Sequence, residues 1–244
     1  MTVQTHSTVA PRKTPASLPA QGGPAAQGQR LPPLNAGDQF TRAEFERRYL
    51  AHPNIKKAEL IEGVVYMPSP TRLTQHGQPH SDIVTWLGAY RAATAEVRAA
   101  NNTTVRLDNE NEVQPDALLY RTRGGRTQVS EDDYLAGPPE LIVEIAASSA
   151  AYDLHVKRRV YQRAGVQEYL ALQVYEQRAD WFVLREGVYE TLAADENGVL
   201  RSEAFPGLWL SDPAFWAGDL VAMLATLQAG LASPEHTAFV GTMG

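Results

Sequence analysis

At 244 residues, with 43% hydrophobic and 20% charged side chains, the chain is long enough for one domain with a full hydrophobic core. A net charge of −6 argues against avid binding to phosphate backbones, and the absence of cysteine excludes disulfides, zinc–thiolate sites and thiol nucleophiles, leaving oxygen or imidazole to hold any metal. No apolar run reaches the roughly 20 residues of a membrane-spanning helix and no secretory pattern opens the chain, so a cytoplasmic protein with no membrane partner is expected.

Residues 1–34 hold six prolines and the cations Arg12, Lys13 and Arg30 with no acid, and predict a disordered tail. "TRAEFERRYL" predicts a helix, with Thr41 and Glu44 at capping-box spacing and Phe45, Tyr49 and Leu50 on one face. "KKAELIEGVVYMPSP" reads as a hairpin turning at Glu62 and Gly63 and ended by Pro68, Ser69 and Pro70. Ile83, Trp86, Leu87 and Tyr90 recur at three and four residues, which predicts one long helix from about Gln78 to Ala100, ended by Asn101 and Asn102.

"TTVRLD" and "DALLY" follow as strands, then a Gly- and Arg-rich loop, then "PPELIVEIA", apolar enough to be buried on both faces. "DLHVKRRVYQRAG" predicts a helix capped by Asp153 and stopped at Gly165. "QEYLALQV" and "ADWFVLRE" form a hairpin through "YEQR", and "GVYETL" and "GVLRSEAF" continue as a meander. A helix near "AFWAGDLVAMLATLQA" comes last, and residues 231–244, without pattern, predict a flexible tail. The whole is an α/β fold: residues 35–230 as a single domain, with one mixed sheet and one long and one shorter helix against it.

Three acids interrupt apolar runs: Asp116 after Pro115, Glu144 inside "LIVEIA", and Glu59 in "AELIEG". Glu59 alone reads as a solvent-facing or arginine-paired acid, whereas Glu144 among aliphatics would be desolvated without a cation. Lys157, one turn into the next helix, can supply that cation if "AASSAAY" lets the helix fold back. Two carboxylates with a lysine can hold Mg²⁺ through oxygen while the ammonium group positions or helps to deprotonate a water, which are the parts that phosphodiester hydrolysis requires. Glycine-rich phosphate loops, G-x-S-x-G and H-E-x-x-H are absent.

"QPDALLY", "PPELIVEIAASS" and "YDLHVKRRVYQRAGVQEYL", preceded by "AELIEGVVYMPSP" and "HSDIVTWLGAY", resemble the Uma-two-type restriction endonuclease family, a branch of the PD-(D/E)XK nuclease superfamily, from about Phe40 to about Tyr189. The resemblance implies a restriction-endonuclease-like mixed β-sheet core flanked by helices, with an N-terminal hairpin. It implies that Asp116, Glu144 and Glu59 hold Mg²⁺ or Mn²⁺, that Lys157 is the motif lysine, and that His80 and Tyr161 belong to the site. It implies DNA as partner and substrate. Position 146 is Ala where the superfamily generally has Lys, so the lysine's role rests on Lys157 reaching back.

The competing expectation is a nuclease fold that no longer cleaves and binds nucleic acid or protein; a homodimer would serve either reading. His76 and His155 read as surface histidines, and Arg121, Arg123 and Arg126 as a solvated or phosphate-contacting loop. Trp181, Trp209 and Trp216 read as packing residues, and Ser148 and Ser149 as orienting Glu144 or capping the helix.

Overall fold

A computed structural model describes residues 31–68, 72–147 and 153–243. Most of the predicted N-terminal tail, Ser69, Pro70, Ser148, Ser149 and the side chain of Asp153 lie outside the described residues. The chain divides into Met1–Leu31 and Pro32–Gly244, and the architecture below is that of the second unit.

Helix α1 (Arg42–Ala51) precedes the hairpin β1 (Glu59–Ile61) and β2 (Val64–Tyr66), which turns through Glu62 and Gly63 at φ 52° and 73°. That pair of left-handed residues matches the twist of the strands, as the Glu-Gly pair predicted. Leu34, Phe45, Ala58, Leu60 and Val65 pack α1 onto the hairpin. Thr41 does not cap α1 through its side chain; the Glu44 carboxylate turns instead to Arg47 and Arg48. Two guanidinium groups outcompete one backbone N–H for it.

A π-helical turn (Leu73–Gly77) leads into α2 (Gln78–Ala93), which buries Ile83, Trp86, Leu87 and Tyr90. The single helix predicted to Ala100 is divided: Thr94 is extended, Glu96 has φ 59°, and Val97–Ala100 form an edge strand, β3. The Thr94 hydroxyl donates to the Tyr90 carbonyl, ending the helix, and β-branched Val97 suits the sheet edge that follows.

The remaining strands are β4 (Val105–Arg106), β5 (Glu112–Val113), β6 (Ala117–Arg121), β7 (Gln128–Val129), β8 (Leu135–Ala136), β9 (Leu141–Ala146), β10 (Glu168–Gln173), β11 (Arg178–Arg185), β12 (Val188–Thr191), β13 (Val199–Arg201) and β14 (Trp209–Ser211). They form two six-stranded sheets and a small pair rather than the one mixed sheet expected. The central sheet runs β12-β11-β10-β9-β6-β3, with β9 and β10 parallel; the second runs β2-β1-β5-β4-β8-β7, with β4 and β8 parallel. Strands of two or three residues in the second sheet are too short to show a period in sequence.

Every residue of β9 is buried, and its alternation divides the core. Leu141, Val143 and Ile145 join the cluster under α2, while Ile142 joins Tyr161, Tyr169 and residues of the second sheet. Helix α3 (Arg158–Ala164), entered through a π-helical turn (Asp153–Lys157), ends at Gly165 with φ 81°, the left-handed stop its sequence predicted.

The C-terminal helix is split into α4 (Asp212–Trp216) and α5 (Leu220–Leu231), with Gly218 at φ 69° between them. Beyond it, Pro234–Gly241 form α6 in place of the flexible tail expected. Ser233 caps α6 and His236 hydrogen-bonds the Thr94 hydroxyl at 2.9 Å, so Ser-Pro-Glu was a helix start rather than patternless chain.

One charged cluster ties α1 to the second sheet. Arg106 Nε lies 2.7 Å from Glu46 and 3.7 Å from Glu112, while its terminal nitrogens hold Asp132 at 2.8 Å. Burial, reinforced by the neighbouring Glu46, pushes the Glu112 carboxyl up to about 8 against the pull of Arg106 and Arg42. A carboxyl raised in the folded state stabilises fully below its unfolded value, and that stability is lost as pH rises toward 8. Between pH 5 and pH 9 we expect the wild-type unfolding midpoint to fall by about 5 °C or more from this group, a fall that Glu112→Gln removes. Parallel wild-type and variant curves over that range would refute the assignment.

Candidate active site

The two sheets meet at Gln114-Pro115-Asp116, between β5 and β6. Pro115 has no N–H to continue a ladder, so pairing stops there and the chain crosses from one sheet to the other. Asp116 stands at that crossing, just before Ala117, which pairs with Val143 of β9. Its carboxylate is 6% exposed, and Oδ2 accepts the N–H of Ile145 at 2.8 Å. Nε2 of His76 lies 3.1 Å from Oδ1, with Lys57 Nζ at 3.9 Å.

The Asp116 carbonyl accepts from Nε2 of His80 at 2.9 Å, and the rings of His76 and His80 stack 5.6 Å apart. Burial alone would raise the Asp116 carboxyl. The hydrogen bond and charge of His76, with the Ile145 N–H and Lys57, hold it below the usual carboxylate range.

Glu144, 3% exposed, is on the β9 face opposite α2. Its Oε1 accepts from Lys157 Nζ at 2.8 Å and from the Tyr161 hydroxyl at 2.6 Å. Lys157 also donates to Glu59 at 3.1 Å, and the N–H of Gln114 donates to the same Glu59 carboxylate at 2.7 Å. One ammonium group, 4% exposed, therefore bridges a carboxylate from each sheet. Tyr161 is fully enclosed; burial and the charges of Glu144 and Glu59 push its phenol well above the ordinary value, so it stays a donor. Lys157 does reach back from the α3 region, which supplies the ammonium group that Ala146 cannot.

Asp116, Glu144, Glu59, Lys157, Tyr161 and His80 thus converge where the sheets join. His76, read as a surface histidine, belongs with them. Its spacing of four from His80 places both rings on one helical face, a signal the sequence carried. His155 is exposed, as expected. The arginine loop is tied down: Arg121 approaches Glu140 at 3.6 Å, Arg123 donates to the Met243 carbonyl at 3.2 Å, and Arg126 donates to the Gly165 carbonyl. Trp181 is buried, Trp216 packs against the same core, and Trp209 carries the Arg201 guanidinium over its ring at 4.6 Å.

Among the described residues no group of three or more His, Asp or Glu stands in the geometry of a metal site. The donors do fit Mg²⁺ in kind, since that ion takes one or two carboxylates and keeps several waters. Asp116 and Glu144 would be the two carboxylates to hold it.

The described residues contain no helix long and apolar enough to cross a membrane. No curated protein matches the chain. Its structure is similar to that of a protein from Anabaena variabilis ATCC 29413 described as a putative nuclease belonging to DUF820. The two share 17% identity at a TM-score of 0.52, over 66% of this chain and 90% of that one. A likeness at that identity speaks for the fold: mixed sheets flanked by helices. The Uma2 family, described as "Putative restriction endonuclease", matches residues 42–213, which contain every site residue above. With sequence motifs, fold and match in agreement, the chain belongs to the Uma2 family of restriction-endonuclease-like proteins, a membership that supports nuclease function.

Proposed function

We propose that the protein is a divalent-metal-dependent endonuclease that hydrolyses phosphodiester bonds of DNA, with Asp116 and Glu144 holding Mg²⁺ or Mn²⁺. The observation that carries this reading is the Lys157 bridge between Glu144 and Glu59. Two buried carboxylates cost several kcal/mol to desolvate, and an ion pair replaced by apolar side chains is often no less stable, so stability alone does not call for this cluster. A carboxylate–lysine set at a sheet junction is what hydrolysis of a phosphodiester needs.

The residues divide the work. Asp116 is fixed by Ile145 and His76, and Glu144 by Lys157 and Tyr161, so neither ligand must reorient at the moment of reaction. The bound ion would polarise the phosphoryl group and lower the pKa of a bound water. Lys157 places a positive charge beside the attacking water and the charge that develops on the phosphoryl oxygens. Glu59 holds Lys157 in place and is the third carboxylate available to the ion. His80 positions the Asp116 backbone through its carbonyl. Dimerisation would let paired sites cut both strands.

The test is calorimetric titration of Mg²⁺ and Mn²⁺ into the wild type and Asp116→Asn, followed by incubation with supercoiled plasmid. We expect metal binding and nicking by the wild type, with nicking reduced at least about 100-fold in the variant, the range seen when a single preorganised electrostatic contact is removed. Metal bound with no nicking on any DNA would favour the non-cleaving, binding-module reading. Cleavage retained by Asp116→Asn would refute the site.

A further inference from the structure

The nitrogen groups around Asp116 are of two kinds. Lys157 is buried and committed to two carboxylates. Lys57 lies on the outer side of Asp116 with 28% of its side chain exposed, and its contacts are long: 3.9 Å to Asp116 Oδ1 and 3.4 Å to Asn102 Oδ1. A charge-assisted hydrogen bond at its preferred length is nearer 2.8 Å, so the Lys57 ammonium group is only loosely engaged.

Asn102 shares that position. Its φ is 48°, and its N–H lies 3.0 Å from the Pro115 carbonyl and 3.3 Å from that of Asp116, which pins the turn against the sheet crossing. Nδ2 of Asn102 lies 3.4 Å from His80 Nε2. Because that nitrogen gives its proton to the Asp116 carbonyl, it offers the amide no lone pair. Lys57, Asn102 and the partly exposed His76 therefore present N–H donors around the open side of Asp116.

The rest of the chain makes this rim informative. With a net charge of −6, the protein cannot attract a polyanion through its overall field. Arg159 and Arg163, the nearby exposed cations on α3, are already paired with Glu62, at 3.5 Å and 2.8 Å.

We infer that Lys57, with the Asn102 amide beside it, is a backbone-phosphate subsite that seats the nucleic-acid strand at the mouth of the site. This rests on the endonuclease reading and adds a substrate contact to it. Lys57 is a binding residue here: it carries charge to the phosphate and no proton in the reaction. Lys57 stands two residues before Glu59, the first residue of β1, so one short run of chain supplies both the phosphate contact and the buried anchor of Lys157.

The experiment measures binding of a fluorescein-labelled DNA duplex to the full chain by anisotropy. The titration is done in Ca²⁺, another oxygen-ligated cation, over a series of salt concentrations, and quenched aliquots on a gel verify that the duplex is intact. Lys57→Gln is compared with Lys57→Arg and with Lys56→Gln, an exposed neighbour carrying the same charge change. We expect Lys57→Gln to weaken binding about 10-fold and to make the log–log salt slope shallower by about 0.9, the value of one phosphate contact. Lys57→Arg should restore most of both, and Lys56→Gln should change neither by more than about twofold.

Equal curves for wild type and Lys57→Gln overturn the subsite and leave the endonuclease reading standing. Equal losses from Lys56→Gln and Lys57→Gln also overturn it, because bulk charge would then account for the effect. A wild type that does not bind the duplex overturns both the subsite and DNA as the substrate.

Discussion

Replacing Lys157 by Met should lower the unfolding midpoint by about 10 °C and eliminate plasmid nicking. The ammonium group is the shared partner of Glu144 at 2.8 Å and Glu59 at 3.1 Å, all three nearly inaccessible to water. Removing one partner of a buried ion pair typically costs about 3–5 kcal/mol, because the charge left behind has neither solvent nor counterion. For a chain of this size that loss is about 10 °C in midpoint. The Met stem refills the space of the lysine, so a cavity adds little.

A second change separates stability from chemistry. Lys157→Met combined with Glu59→Gln removes one of the two stranded charges, so the double variant should regain several degrees. It should regain no cleavage, since the proposed chemistry needs the ammonium group that is still missing. A single variant that melts within about 2 °C of the wild type would show that the bridge contributes nothing net to the fold. A single variant that still nicks plasmid would remove Lys157 from the chemistry.

Two residues of this cluster, Asp116 and Glu144, stood out in sequence because each breaks a rule of its surroundings, whereas Glu59 alone read as an ordinary surface acid and His80 and Tyr161 came only from the family resemblance. An acid inside "LIVEIA" and an acid after Pro115 at a strand start are inconsistent with a simple core, and such inconsistencies mark functional sites. The longer strands β9, β10 and β11 of the central sheet and the α3 stop were legible for the opposite reason: their patterns are long and regular. His76 was misread although its spacing of four from His80 was in the sequence, because a histidine in a polar stretch resembles a solvent-exposed residue until the π-helical turn brings its ring to Asp116. The second sheet was hidden by strands of two residues, whose pairing depends on partners far along the chain. Val105 in β4 pairs with both Val113 and Leu135, contacts that no local period can announce.

The junction itself explains why the site lies where it does. The sheet that holds Glu59 and the sheet that holds Glu144 are joined by the chain at Pro115, and Lys157 bridges them through those two carboxylates. Closing the site and docking the two sheets are then one event. This predicts that ligand-site variants will differ in their effect on stability according to whether they touch the bridge: Glu59 and Lys157 strongly, and Asp116→Asn less, since its amide oxygen can still accept from Ile145.

Glu168 offers the contrasting case of a buried acid with no place in the chemistry. It opens β10 directly after Gln167, whereas Glu144 sits inside β9 among aliphatic residues. In the fold it accepts four hydrogen bonds: Trp181 Nε1 at 3.2 Å, the Ser202 hydroxyl at 2.6 Å, and the N–H groups of Glu203 at 2.6 Å and Ala204 at 2.8 Å. Burial pushes its carboxyl above the ordinary range against the pull of those donors. Its work is to fasten the 202–204 turn to the central sheet. Glu168→Ala strands four buried or partly buried donors at about 1–3 kcal/mol for each left unsatisfied, so we expect a midpoint lower by about 10 °C or more. At temperatures where the variant is still folded, metal affinity and cleavage per folded molecule should be unchanged, which calorimetry and plasmid nicking at 15 °C would read. Loss of metal binding in folded Glu168→Ala would mean that this carboxylate, and not only Glu144, belongs to the site.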